Sequence, residues 1–473
     1  MVLSNLRTPE EFDDALRKGL GRAVGHVRAA SAEAVWTQLL HACTNYLGFD
    51  LQCEGSRAPW LYEMIALTGE ADRYCAEVLK SLEMINGFLE DSRSLYEMAN
   101  LLAVFVQKGR PELRDVLLRK VFSFDAPNDV FGDGLPIEVL GVDGAVEVLR
   151  RYSRSGFTSF CLGNYFFDEA FEAFGASLTE ALKAAGRGDA ALGAYLREME
   201  AERRQEAEDI SQEASPAEER PPFWESEERL FSLLDSLPPE SYFLSDLSPN
   251  KGRICDCKGE YITLRSMFRV AGKNHQRIEP PGFLDRVFTR LMAESDSGKL
   301  FCLLGTFAQT AMPRFEPSIL ALVDSPVGVL SLEAVQALSN ISAPEIRAKG
   351  RQLLEAGAVR EDWANGFSLF TESGRAEDLP LIIGALADVP AHSMDPDDLH
   401  AIVRDVIPLA RIGEPIDAAP IMLWVYENSP CANCRGESVS WLVGNQAAPD
   451  ELLAECLDDC DEHIRQIALE ARK

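Results

Sequence analysis

Apolar side chains recur at a spacing of three and four residues along almost the whole of this 473-residue chain, and few stretches alternate long enough to argue for a sheet. That period marks amphipathic helices, whose apolar faces must be covered by other helices. Val78, Leu82, Ile85 and Leu89 make one stripe, and Leu95, Met98, Leu102 and Phe105 make the next. Short breakers separate such stripes: Gly87, the pair Gly109 and Pro111, and the run PNDVFGDGLP at 127–136. The one strand candidate is Tyr261–Phe268, which leaves room for a short hairpin near 254–268. The prediction is an all-α chain.

In the C-terminal half, helix-sized apolar patterns begin near Ser331, Pro344, Glu361, Leu379, Pro396, Ala418, Arg435 and Pro449. Roughly two helices per 40 residues is the HEAT or armadillo period, so the pattern predicts an α-solenoid of antiparallel helix pairs. In the last segment, APDELLAECLDDCDEHIRQIALEARK, the spacing points Ile464, Ile467, Ala468 and Ala471 inward and puts Asp461 and Arg465 at polar turn positions. Residues 197–222, REMEAERRQEAEDISQEASPAEERPP, hold almost no large apolar side chain and end in paired prolines. The expected division is therefore an N-terminal helical block at 1–200, a charged linker or extended helix at 201–222, and a C-terminal repeat block at 223–473.

Charge narrows the partners. Against 46 basic side chains stand 76 acidic ones, a net charge of −30, which argues against wrapping a phosphate backbone and favours a basic protein partner. Residues 351–473 carry 9 basic and 23 acidic side chains, or −14, and 450–462 hold seven carboxylates with no Lys or Arg. Asp395, Asp397, Asp398, Asp458, Asp459, Asp461 and Glu462 fall at expected helix starts or turns and are the candidate partner-binding residues. One positive island interrupts the pattern: Lys251, Arg253, Lys258, Arg265, Arg269, Lys273 and Arg277. Its bland reading is internal pairing with acidic neighbours.

Nothing near the start reads as a secretory signal, and the nine-residue apolar stretch Ala418–Tyr426 contains Pro420 and is too short to span a bilayer. Eleven scattered cysteines suit free thiols in a reducing compartment, so the expected location is cytoplasmic. The most metal-like constellation is Cys431-x2-Cys434 with Cys456-x3-Cys460 and His463. The second pair is spaced for one helix face rather than for a zinc knuckle, so close packing of small buried cysteines is the preferred reading, and no metal or cofactor is expected. A redox role for the CxxC lacks a surrounding βαβ pattern, and Cys255-x-Cys257 has no second pair. No phosphate-binding loop, nucleophile elbow, dinucleotide fingerprint or HExxH motif occurs, which points to a binding protein rather than an enzyme.

Trp36, Tyr46, Trp60, Trp424, Tyr426 and Trp441 have helical spacing and are expected in the core rather than on a recognition surface. The polar string Asp50, Gln52, Glu54, Ser56 and Arg57 suits capping of helix ends and pairing across a turn.

The stretch from Trp36 through DLQCEGSRAPWL at 50–61, together with YENSPCANCRGESV and ELLAECLDDCDEHIRQIA near the end, resembles bacterial HEAT-like repeat proteins, some of which are immunity proteins encoded beside polymorphic toxins. The resemblance covers about 30 residues near the start and about 50 at the end, and identifies a scaffold rather than an activity. It implies an acidic cytoplasmic protein that neutralises a toxin by binding its toxic domain and blocking the active site. An adaptor in another bacterial complex, and a helical-repeat enzyme or nucleic-acid binder, are the alternatives.

Overall fold

The computed structural model describes residues 6–85, 92–121, 137–155, 163–213, 226–237, 260–278, 281–357 and 366–473. Among them the regular structure is α-helix with short 3-10 turns, and there is no β-strand. Seven of the eight helix starts expected between 331 and 449 fall on or within a few residues of observed starts, from Gly328–Leu338 and Pro344–Glu355 to Asp450–Cys456. The eighth, near Glu361, lies outside the described residues, as do Gly87, Leu89, the run at 127–136 and Cys255 and Cys257.

The strand candidate is corrected. Residues 260–268 belong to the helix Glu260–Lys273, while 254–259 lie outside the described residues. The burial period gives the reason: Tyr261, Leu264, Phe268 and Ala271 are all buried, a one-sided helical stripe that overrides the local β-favouring Tyr-Ile-Thr. The close approach of Gly272 to the Thr306 backbone fixes where this helix lies, since a Cβ there would sit 2.0 Å from the Thr306 carbonyl oxygen.

Two units are distinguished by their internal contacts. The first comprises Met1–Ala217 with Pro430–Asn433 and Pro449–Lys473, and the second comprises Glu218–Ser429 with Cys434–Ala448. The first unit begins with Pro9–Lys18, whose start is sealed by a capping box. Thr8 Oγ1 accepts from the Glu11 amide, and Glu11 Oε2 accepts from the Thr8 amide. The expected stripe on Ser92–Gln107 is buried at Leu95, Met98, Leu102 and Phe105, packed beside Ala58–Thr68 and Ala71–Met84. Residues 201–213 continue the helix Ala190–Glu213.

The C-terminal helices Asp450–Cys456 and Glu462–Ala471 also belong to this first unit, where they meet the N-terminal helices directly. Arg22 Nε pairs with Glu455 Oε1 at 2.8 Å, Trp60 Nε1 donates to the Asp458 carbonyl at 2.9 Å, and the Cys460 amide donates to the Gly19 carbonyl at 2.9 Å. Gly19 turns the chain at φ 74°, and a Cβ on Gly21 would lie 1.9 Å from the Glu455 carbonyl oxygen. Ile464 and Ala468 face inward as expected, Ile467 is half-buried, and Ala471, the last residue of Glu462–Ala471, is exposed.

In the second unit, aromatic rings fill the core: Phe268, Phe283, Phe288 and Phe307 are buried with Leu303 and Leu338. Two ion-pair hubs tie its helices. Arg265 makes a bidentate pair with buried Glu333 at 2.8 to 3.1 Å, which accounts for one member of the positive island. Asp378, fully buried, accepts from Arg347 at 2.7 and 2.9 Å, from Arg351 at 2.7 Å and from the Arg375 amide at 2.9 Å. Lys251, Arg253 and Lys258 lie outside the described residues, whereas Lys273 and Arg277 are exposed. No helix among the described residues is long and apolar enough to cross a membrane.

Candidate functional site

The acidic residues at 395–398 open the helix Pro396–Val406 in the second unit. Asp395 is its N-cap, with Oδ1 accepting from the Asp397 amide at 2.9 Å. Asp395 and Asp397 are exposed and Asp398 is half-buried. Carboxylates here stabilise the positive end of the helix and still present charge to solvent.

The acidic residues at 458–462 belong to the first unit and have divergent fates. Asp459 is fully buried, its Oδ1 accepting from the Asp461 amide at 2.9 Å. Asp461 caps Glu462–Ala471 by accepting from the Ile464 amide at 3.0 Å, and Arg465 Nη1 holds the same turn through the Asp459 and Cys460 carbonyls at 2.6 and 3.0 Å. Half-buried Asp458 pairs with Arg28 at 3.2 Å, and Glu462 is exposed. Of the seven expected residues, Asp395, Asp397 and Glu462 are exposed. The buried and capping ones hold the turns that carry them.

The polar string forms a buried network in the first unit. Arg57 Nη2 pairs with Glu54 Oε2 at 2.5 Å, while Nη1 donates to the Leu16 and Arg17 carbonyls at 2.9 and 2.7 Å, satisfying the open end of Pro9–Lys18. The Arg57 amide donates to Glu97 Oε2 at 3.2 Å and Ser56 Oγ to Glu97 Oε1 at 3.4 Å. Burial pushes the Glu97 carboxyl up to about 7 against the pull of these donors. Burial, with Glu97 nearby, also raises the buried Cys43 thiol. Glu97 was not among the residues singled out in the sequence, since it sits in a helix with no cue to its burial beyond the adjacent stripe. Of the aromatics expected in the core, Trp60 and Tyr426 are buried, whereas Trp36, Tyr46, Trp424 and Trp441 are half-buried.

The cysteines separate. Cys456 is fully buried, Cys460 is half-buried with its sulfur against Gly19, and His463 is exposed. Cys431 immediately precedes the helix Ala432–Gly444 and Cys434 lies in its first turn, both buried. The imidazole beside Cys434 is His400, from the middle of Pro396–Val406, whose Nε2 lies 3.4 Å from Cys434 Sγ. His400 and Cys434 both belong to the second unit, whereas Cys431, Cys456, Cys460 and His463 belong to the first. His400 was missed because it is 34 residues from Cys434 and on another helix, with nothing in its local sequence to connect them.

Comparison with protein-family models, with curated proteins and with solved structures finds no match to this chain.

Proposed function

We propose that this chain is an acidic helical-repeat scaffold that binds a basic protein domain, and that its specific role is that of an immunity protein covering the active site of a toxin. The observation that carries the reading is the acidic surplus of −30, with carboxylates such as Asp397 and Glu462 standing exposed at helix starts. Charges in that position accelerate encounter with a basic surface, while apolar contacts behind them set the residence time. A helical scaffold supplies a broad face for such a contact without catalytic residues.

The test uses exposed carboxylates that do not build the turns. Glu451, Glu462 and Glu470 are all exposed in the C-terminal helices, so their joint reversal to Lys leaves the Asp459 and Asp461 hydrogen bonds in place. Against a basic domain recovered with the native chain, association should slow by about tenfold and dissociation change little. The wild-type association rate should also drop steeply with salt. An unchanged association rate in the folded variant removes this surface from the interface. Failure of the chain to protect cells from a toxin encoded beside its gene removes the immunity role.

A further inference from the structure

Arg265 and Arg269 stand four residues apart on Glu260–Lys273, so helix geometry sets them on one face, a turn from each other. Arg265 is already engaged, its guanidinium filling both oxygens of Glu333 on Gly328–Leu338 at 2.8 to 3.1 Å. That pair is held closely, since a Cβ on Gly305 would lie 3.0 Å from Arg265 Cγ and 3.5 Å from Glu333 Oε1. The short turn Gly366–Phe370 packs on Gly328–Leu338, and Pro396–Val406 packs on the same turn, where Asp405 accepts a hydrogen bond from Ser368. Arg404, next to Asp405, thereby joins Arg265 and Arg269 within the second unit. Arg269 is half-buried and Arg404 exposed, and among the described residues neither side chain makes an ion pair or a hydrogen bond.

Like charges gathered without a counter-ion repel, the more so where water is excluded. Burial, with the charges of Arg265 and Arg404, pushes the Arg269 guanidinium below its ordinary range against the pull of Glu333. The local count is three guanidiniums to two carboxylates, Glu333 and Asp405, in a chain whose net charge is −30. The same unit pairs Arg265, Arg286, Arg290, Arg347 and Arg351 with acidic side chains, yet among the described residues it gives Arg269 and Arg404 none within ion-pair distance.

We propose that Arg269 and Arg404 form a binding site for a phosphoryl anion, either inorganic phosphate or a phosphate monoester. Each guanidinium brings five N–H donors and no acceptor, in a fork that matches an oxyanion. A carboxylate is filled by one fork, as Glu333 is by Arg265, whereas a tetrahedral phosphoryl group has oxygens enough for two forks that arrive from different helices. Lys273, exposed one turn beyond Arg269 on the same face, adds a point charge at the rim. The bound anion would bridge Glu260–Lys273 to Pro396–Val406. The site is independent of the protein-binding role proposed above, which rests on carboxylates. The competing reading is that both arginines lay their apolar stems along the helices and keep their charged heads in water.

The full chain should be titrated by calorimetry, at neutral pH and fixed ionic strength, with inorganic phosphate, with glycerol phosphate and with acetate. One equivalent of phosphate or glycerol phosphate should bind, and acetate at least tenfold more weakly; the tighter of the two phosphates tells the free ion from a monoester. Arg269→Gln and Arg404→Gln should each weaken binding by tenfold or more with unchanged circular dichroism, and Arg269→Lys should weaken it although the charge is kept. Exposed Arg229, on Glu227–Asp235, is the control, and Arg229→Gln should leave the affinity unchanged. A measurement free of variants accompanies these: phosphate should slow hydrogen exchange of Glu260–Lys273 and Pro396–Val406 in the wild-type chain. Absence of saturable uptake at millimolar phosphate overturns the proposal, as does unchanged affinity in Arg269→Gln and Arg404→Gln or protection confined to other helices. Acetate bound as tightly as phosphate overturns the phosphoryl class in favour of a carboxylate ligand.

Discussion

Replacing Glu97 with Gln should change how the stability of the first unit depends on pH. Glu97 is buried between the Arg57 amide and Ser56, and burial moves its carboxyl from an ordinary 4.5 to about 7. Below 4.5 the group is neutral in folded and unfolded chains alike. Between 4.5 and 7 the folded chain holds the proton that the unfolded chain has released, so stability falls as pH rises, and the loss is complete above 7. The interval of 4.5 to 7, at about 1.4 kcal/mol per pH unit, amounts to about 3 kcal/mol. A carboxamide can keep the bond from the Arg57 amide and turn its NH2 group toward Ser56 Oγ, so Glu97→Gln removes the titration with little change of shape. The assay is urea denaturation of both chains from pH 4.5 to 8, with hydrogen exchange of Ser92–Gln107 identifying the unit that opens. Glu97→Gln should gain on the wild type by up to about 3 kcal/mol across that range. Contributions from other raised carboxyls, such as Asp405 at about 6, cancel in the difference because they are carried by both chains. Parallel pH profiles for the two chains would refute the reasoning.

Two further perturbations test the packing. Gly21→Ala drives a Cβ into the Glu455 carbonyl and should cost about 1–3 kcal/mol and speed hydrogen exchange in Asp450–Cys456, whereas Gly25→Ala, with nothing within 4 Å, should be neutral or stabilise by up to about 1 kcal/mol. Equal effects of the two would sink the close-approach argument. Asp378→Ala removes the buried carboxylate that Arg347 and Arg351 share and should cost about 3 kcal/mol in urea denaturation at pH 7, at the low end for a broken buried pair because Arg347 keeps Glu377, Arg351 keeps Glu355 and the Arg351 side chain is 38% exposed. These arginines hold the Asp378 carboxyl below its ordinary range despite its burial, so its contribution is present above the unfolded value near 3.8 and is lost as pH falls through the lower folded value. A deficit that does not shrink on strong acidification would count against the hub.

The helical class is legible in the sequence because each stripe states its own period: Leu95, Met98, Leu102 and Phe105 need no distant information to mark a buried face. The same signal was present at Tyr261, Leu264, Phe268 and Ala271, but the β-branched and aromatic residues at 261–263 masked it. What the sequence does not reveal is pairing between elements. Asp458 and Asp459 are adjacent carboxylates of one acidic run, yet one meets Arg28 at the surface and the other is buried by the turn it stabilises. His400 and Cys434, like Arg22 and Glu455, are joined by packing across long separations that no local pattern encodes.

The union of Arg22 with Glu455 and of Gly19 with Cys460 gives the first unit a particular order of assembly. In an array whose members touch only their neighbours, helices can settle as they leave the ribosome, and loss of the last one removes a single interface. Here the seat around Gly19, Gly21 and Trp60 is made from the beginning of the chain and filled by residues 449–473, so that end stays unfilled until more than 400 further residues have been synthesised. Such separation raises contact order and delays the closing step. During that interval Trp60 and the apolar sides of the first helices are open to solvent, which makes the nascent chain a substrate for chaperones. A nonsense change near residue 449 would therefore injure the helices made first as much as those it deletes.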